Sequence, residues 1–249
     1  MYSRENRKKI SCPEKVIAVT NRKLCDGDFL DQIKKITELG VRAVILREKD
    51  LSGSEYEVLA AQVMEICQYT DTICILHNFP LVAERLGCDH MHLPLPVFHN
   101  YIEGIRKNDK INIFSCSCFD DSSMTEIECK EPVALEIEQS NLDKINVEKN
   151  NAFIECEKRE NLYIGTSVHS IEQAKEAIAL GASYVTAGHI YSTQCKPGLT
   201  PRGIDFLKNI CQTVQVPVFG IGGIHPDNMQ QVLDAGAVGV CMMSEMMRL

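Results

Sequence analysis

Short aliphatic runs alternate along the chain with longer stretches in which apolar residues recur every third or fourth position. The short runs are apolar at successive positions, as expected of parallel strands buried on both faces, and the longer stretches read as amphipathic helices that cover them. The pattern predicts strands at Val16–Thr20, Ala43–Arg47, Cys74–His77, His90–Leu93, Leu162–Val168, Tyr184–Ala187, Val218–Ile221 and Val238–Met242. Between them it predicts helices at Asp28–Leu39, Ser54–Tyr69, Ile171–Leu180, Ile204–Cys211 and Pro226–Ala235. Several are followed by glycine (Gly40, Gly181, Gly236), the residue that closes a helix in the left-handed conformation most cheaply. The phrases ELGVRAVILRE, ALGASYVTAGH and DAGAVGVCMMS repeat one unit: helix end, glycine, buried strand. Strands and helices in this alternation define an α/β fold, a single (β/α)8 TIM barrel over 16–249 preceded by a polar extension, 1–15.

Two departures from a regular barrel are expected. The stretch between the fourth and fifth strands is longer than one helical connection needs, so 111–160 reads as an insertion. The sequence given ends soon after the eighth strand, so the last helix is expected to be missing or atypical, with the insertion or a homo-oligomer partner covering that face.

Composition narrows the class. A formal net charge of -8 argues against a nucleic-acid partner, which would need a basic face. No apolar run reaches the roughly 20 residues of a membrane span, and the polar start does not resemble a secretion signal, so a cytoplasmic protein without a membrane partner is expected. Most of the 12 cysteines sit in apolar runs, where a thiol serves as a small hydrophobe. Cys116 and Cys118 lack the second ligand pair a zinc site would need, and no metal site is expected.

Candidate chemistry gathers where strands end, the face on which barrels of this kind keep their sites. FGIGGIHPDN places Gly222 and Gly223 after the seventh strand, with Pro226 and Asp227 opening a helix, and CMMSEM places Met243 and Ser244 after the eighth. Glycines there let backbone N–H groups approach a phosphate. After the second strand, LREKD carries Arg47 and Lys49, two cations on one side of an extended segment, suited to an anionic substrate group or to a surface salt-bridge cluster with Glu48 and Asp50. GTSVHS leaves His169 beside Ser167 and Ser170, and imidazole moves protons near neutral pH. AGHIYSTQCKPGLTPRG supplies a loop with His189, Thr193, Cys195, Lys196 and Arg202 that would suit a lid over a polar ligand.

Taken together, ILREKDLS, GTSVHSIEQA, GHIYSTQCKPGLTPRG, FGIGGIHPDN and AGAVGVCMMS resemble, in order, the motifs of the thiamine phosphate synthase and TenI superfamily. The resemblance implies a phosphorylated thiazole as ligand. The synthase pattern has a Gln-x-Arg-x-Lys run, an Asn-Asp pair and a Gly-Gln-x-Asp segment, whose aspartates hold Mg2+. Here those places read Ile45 with Arg47 and Lys49, His77-Asn78, and HLPLPVF, so both carboxylates are missing. SVHS, GH and HLP look like the TenI branch, a metal-free thiazole tautomerase. The resemblance then implies that His169 relays the proton and that Gly222, Gly223, Met243 and Ser244 hold the phosphate. Arg47, Lys49, His77, Asn78, Ser167, Thr193, Cys195 and Lys196 would contact the rest of the substrate. An isomerase without cofactor is expected; the alternatives are a Mg2+-dependent synthase joining a pyrimidine pyrophosphate to the thiazole phosphate, and a non-catalytic thiazole-phosphate binder.

Overall fold

A computed structural model describes residues 10–107 and 162–249. The expected insertion, Cys116, Cys118 and residues 1–9 of the expected extension lie outside them. Eight parallel strands form a closed barrel in chain order: β1 (Val16–Val19), β2 (Ala43–Leu46), β3 (Ile73–His77), β4 (His90–His92), β5 (Tyr163–Val168), β6 (Tyr184–Gly188), β7 (Val218–Ile221) and β8 (Gly239–Met242). β8 closes onto β1 with Ile17 opposite Cys241. The expected strands coincide with these to within one residue at each end.

The helices that surround the barrel are α1 (Phe29–Glu38), α2 (Gly53–Gln68), α3 (Pro80–Leu86), α4 (Leu95–Lys107), α5 (Ile171–Leu180), α6 (Gly203–Thr213), α7 (Met229–Asp234) and α8 (Ser244–Met247). Local chemistry sets several of their ends. Asp28 accepts from the Asp31 N–H, Ser52 and Glu55 form a reciprocal capping box, and Ser170 accepts from the Gln173 N–H. Gly181 ends α5 at φ +94, a conformation open to glycine at little cost.

Strand residues alternate between two cores. Outward-facing side chains such as Val44, Leu46, Val185 and Val240 pack beneath the helices, against residues such as Ile33 and Ile36 of α1. Each such fully buried aliphatic side chain contributes about 1.5–3 kcal/mol. Inward-facing Ile17, Val19, Ala43, Ile45, Ile75, Phe219 and Cys241 form a second, smaller core inside the barrel.

One expectation is corrected. The helix placed at Pro226 starts at Met229, because the Asn228 side chain captures the His225 N–H and the Gly223 carbonyl and holds the intervening residues in a turn. α3 and α4 were not read as separate helices; α3 is short and opens on Pro80. The last helix is atypical, as expected: a single turn, docked to α1 by Gln32 Nε2 donating to the Met246 carbonyl at 2.6 Å. Among the described residues, no helix is long and apolar enough to cross a membrane.

Candidate active site

The carboxyl ends of the strands surround a cavity of about 690 Å3, open at one side. Its walls divide by chemistry. Val19, Ile45, Ile221 and Cys241 present apolar surface from β7, β8, β1 and β2, whereas His77, His92, Ser167, His169 and Thr186 line the side built by β3 to β6.

The charged rim near β1 and β2 differs from the expected one. Arg47 lines the cavity, but Lys49 is exposed and does not. β2 ends at Leu46, so the two-residue alternation that would have kept Arg47 and Lys49 on one side is lost in a turn. Glu48 is nearly sealed from solvent, at 2% exposure, rather than part of a surface cluster. Its carboxylate accepts from the Thr20 hydroxyl at 2.6 Å, from the Arg22 N–H and from the Arg22 guanidinium. Thr20 Oγ1 in turn accepts from the Arg47 N–H at 2.9 Å, so a buried carboxylate fixes the backbone that carries Arg47. Arg22 also pairs with Asp50, and its hydrogen bond, with that of Lys23, holds the Asp50 carboxyl down at about 2.

His169 follows β5 on the cavity wall. Its N–H is capped by the Gln173 side chain, and its Nδ1 lies 2.6 Å from the Gly188 carbonyl. A carbonyl only accepts, so Nδ1 carries a hydrogen, which in a neutral imidazole leaves Nε2 as the basic nitrogen. Beneath it, Ser167 lies two residues earlier in β5, about 7 Å deeper. Asn78, by contrast, follows β3 at φ +64 and does not line the cavity; its N–H is bound to the His92 carbonyl.

The turn after β7 is shaped to hold an anion. Gly222 and Gly223 have φ +98 and +64, and a Cβ at either would run into the β6 loop, at His189 and at the Ser192 carbonyl respectively. The carbonyls of Ile221, Gly222 and Gly223 are tied back by the Ile190 N–H, the Tyr191 N–H and the Asn228 side chain. The N–H groups of Gly223 and Ile224 make no hydrogen bond with the described residues. Successive unpartnered N–H groups in such a turn form a concave anion receptor. Met243 and Ser244 reach the same cavity from the end of β8.

The loop after β6 closes one side. Thr193 Oγ1 accepts from the Cys195 N–H, Cys195 Sγ approaches Met243 Sδ to 4.0 Å, and Lys196 lines the cavity beside them. Sequence reasoning did not select His92, Thr186, Asn228, Glu245 or Arg248, all of which line the cavity. For His92 and Thr186 a signal existed: polar residues at inward positions of otherwise apolar strands.

A divalent cation such as Mg2+ requires hard, mostly anionic oxygens. The ends of β3 and β4 offer His77, Asn78, Leu93 and Leu95 instead, and among the described residues no group of three or more His, Cys, Asp or Glu side chains converges. The described donor set therefore does not fit that ion.

The family model described as thiamine monophosphate synthase matches residues 16–96 and 138–246. A thiamine-phosphate synthase of Fusobacterium nucleatum is 26% identical over 231 residues, covering 92% of this chain and 87% of the relative. A thiamine-phosphate synthase of Pyrococcus furiosus is 41% identical over 87 residues, 35% of this chain and 42% of the relative. The structure of a thiamine phosphate pyrophosphorylase from Pyrococcus furiosus superposes with a TM-score of 0.62 at 22% identity, covering 92% of this chain and 85% of that one, a likeness of fold. These names belong to the synthase; the expected TenI-type isomerase finds no support in them.

Proposed function

This chain belongs to the thiamine monophosphate synthase family, and we propose that its barrel mouth binds a thiazole phosphate and acts on it as a thiazole tautomerase. Family membership makes it an enzyme of thiamine biosynthesis. The finer assignment is carried by one observation: His169 is held on the cavity wall by the 2.6 Å contact of Nδ1 with the Gly188 carbonyl.

In this reading the phosphate sits against the N–H groups of the Gly222–Gly223 turn and the start of α8 at Met243 and Ser244, with Lys196 above it. Arg47 faces the rest of the substrate from the end of β2. His169 Nε2 removes the proton from the ring carbon of the carboxythiazole phosphate, and the imidazolium then returns it to the exocyclic carbon, so the proton count is conserved and the ring becomes aromatic. The Gly188 carbonyl keeps the ring oriented and favours the transient cation. Such positioned acid–base transfer contributes about 10²–10⁴-fold in rate.

A second reading, the transferase that joins a pyrimidine pyrophosphate to the thiazole phosphate, is favoured by the names of the relatives. Its Mg2+ lacks carboxylate ligands at the ends of β3 and β4, and no step is derived through the ion. A binder without turnover is the remaining alternative. Incubating the pure protein with each substrate set, with and without Mg2+, separates the three. Aromatisation without metal, lost by about 10²-fold or more in His169→Ala, is the expected result. Magnesium-dependent pyrophosphate release with no aromatisation would replace the tautomerase with the transferase, and binding without either product would leave only the binder.

A further inference from the structure

The cavity floor is a hydrogen-bonded chain whose direction is set at its closed end. Tyr184 Oη lies 3.0 Å from His92 Nδ1, His92 Nε2 lies 2.9 Å from Ser167 Oγ, and Ser167 Oγ lies 2.9 Å from Thr186 Oγ1. Each group can donate and accept, so a relay in which every hydroxyl spends its hydrogen along the chain has two directions. Run from Thr186 towards Tyr184, it ends on a phenol whose hydrogen has no acceptor among the described residues and which does not line the cavity. Run from Tyr184, the phenol donates to His92 Nδ1, His92 Nε2–H donates to Ser167, Ser167 donates to Thr186, and the last hydrogen emerges on a side chain that does line the cavity. There a ligand can accept it; at the Tyr184 end no described residue does.

The surroundings favour the second direction. Tyr184 is half-buried as a residue, yet burial pushes its hydroxyl well above the usual range, so it keeps its hydrogen. Burial also raises the Cys241 thiol, which faces Tyr184 from β8, so no thiolate competes. Gly165 makes the arrangement possible, since a Cβ there would meet the Tyr184 ring. On the β3 side, His77 stacks on His92 with ring centres 5.8 Å apart, and from β7 the Phe219 ring meets Tyr184 edge-on at 5.7 Å. A second proton on His92 would have to sit on Nδ1, against the phenol hydrogen.

We infer that Thr186 is a specificity-determining residue whose hydroxyl, oriented as a donor by the Tyr184–His92–Ser167 chain, recognises a hydrogen-bond acceptor on the deepest part of the ligand. His92 is then neutral, with its hydrogen on Nε2, and acts as a positioning residue. The acceptor is identified as the carboxylate of the thiazole phosphate, and this identification alone rests on the function proposed above.

Two measurements test the inference. Nitrogen-15 imidazole spectra, with His92 assigned by comparison with His92→Gln, are expected to show the Nε2–H form in the wild type and a mixture of forms in Tyr184→Phe. A charged or Nδ1–H His92 in the wild type would overturn the chain's direction whatever the ligand. Calorimetry then compares the carboxythiazole phosphate with the same thiazole phosphate lacking its carboxylate. The carboxylated ligand should bind about ten-fold tighter, the equivalent of one hydrogen bond to a charged group. Thr186→Val should erase that preference, Thr186→Ser should keep it, and neither should alter binding of the decarboxylated compound by more than about two-fold. A preference that survives in Thr186→Val would overturn the role of Thr186. Failure of both ligands to bind would sink the functional reading and the carboxylate assignment with it, and the spectra would still decide the chain.

Discussion

The two sides of the barrel interior bury their side chains to similar degrees by different means. On one, Val19 at 3% exposure and Cys241 at 2% are held by shape and apolar contact with Ile17, Ile45 and Phe219. On the other, His92 at 4% and Thr186 at 1% are held by a directed set of hydrogen bonds. Apolar packing tolerates small changes of shape, whereas a buried polar group that loses its partner bears its full desolvation penalty. The apolar side is suited to the face of a flat ring in any rotation, and the polar side decides which rotation is bound.

That contrast can be broken at several points. The largest stability effect is expected from Gly165→Ala, whose new Cβ would displace the Tyr184 ring and with it the support of His92, destabilising the fold by up to about 3 kcal/mol in urea denaturation. A neutral result would mean the ring is not confined. Ser167→Ala removes the link between His92 and Thr186 and should cost about 2 kcal/mol in the same assay, because His92 Nε2 loses its partner. Cys241→Ser is the converse probe: a hydroxyl in the apolar side, with no acceptor designed for it, should cost about 1 kcal/mol, and no cost would show that side to be wet.

The smallest effect is expected at the rim of the apolar side, where charges take over. Asp50, held at about 2 by Arg22 and Lys23, is depressed relative to an unfolded carboxyl near ~3.9. Its contribution is therefore fully present above about pH 4 and lost as pH falls through about 2. The stability difference between wild type and Asp50→Asn should be below about 1 kcal/mol, because the pair is exposed, and should vanish over that interval. A difference that grows with acidity would contradict the pairing.

The strands and their ends were legible because eight aliphatic runs with a shared helix–glycine–strand grammar leave few alternatives. His169, Gly222 and Gly223 could be singled out because a barrel confines its chemistry to one face. Which polar residues meet inside was not legible, since it depends on register between strands: Ser167 opposite Thr186, and His77 opposite His92. Lys49 was misplaced because an extended segment was assumed to run on through Lys49, three residues beyond where β2 stops. Glu48 read as a surface charge because its partners Thr20 and Arg22 lie in a distant connection that local spacing does not reveal. The helix expected at Pro226 failed for a similar reason, a side chain two residues on competing for backbone groups.

The pairing of β4 with β5 has a kinetic consequence. Every other pair of successive strands is joined by a much shorter connection, but His90 and Tyr163, stacked with ring centres 4.9 Å apart, are separated by α4 and the whole of 108–161. Closing that seam has the largest loop-closure entropy between successive strands, growing by about 0.6 kcal/mol for each doubling of the intervening length. The strands before and after it can each assemble from nearer contacts, whereas the hydrogen-bonded floor, which needs His92 from one side and Ser167 from the other, exists only once β4 and β5 have paired.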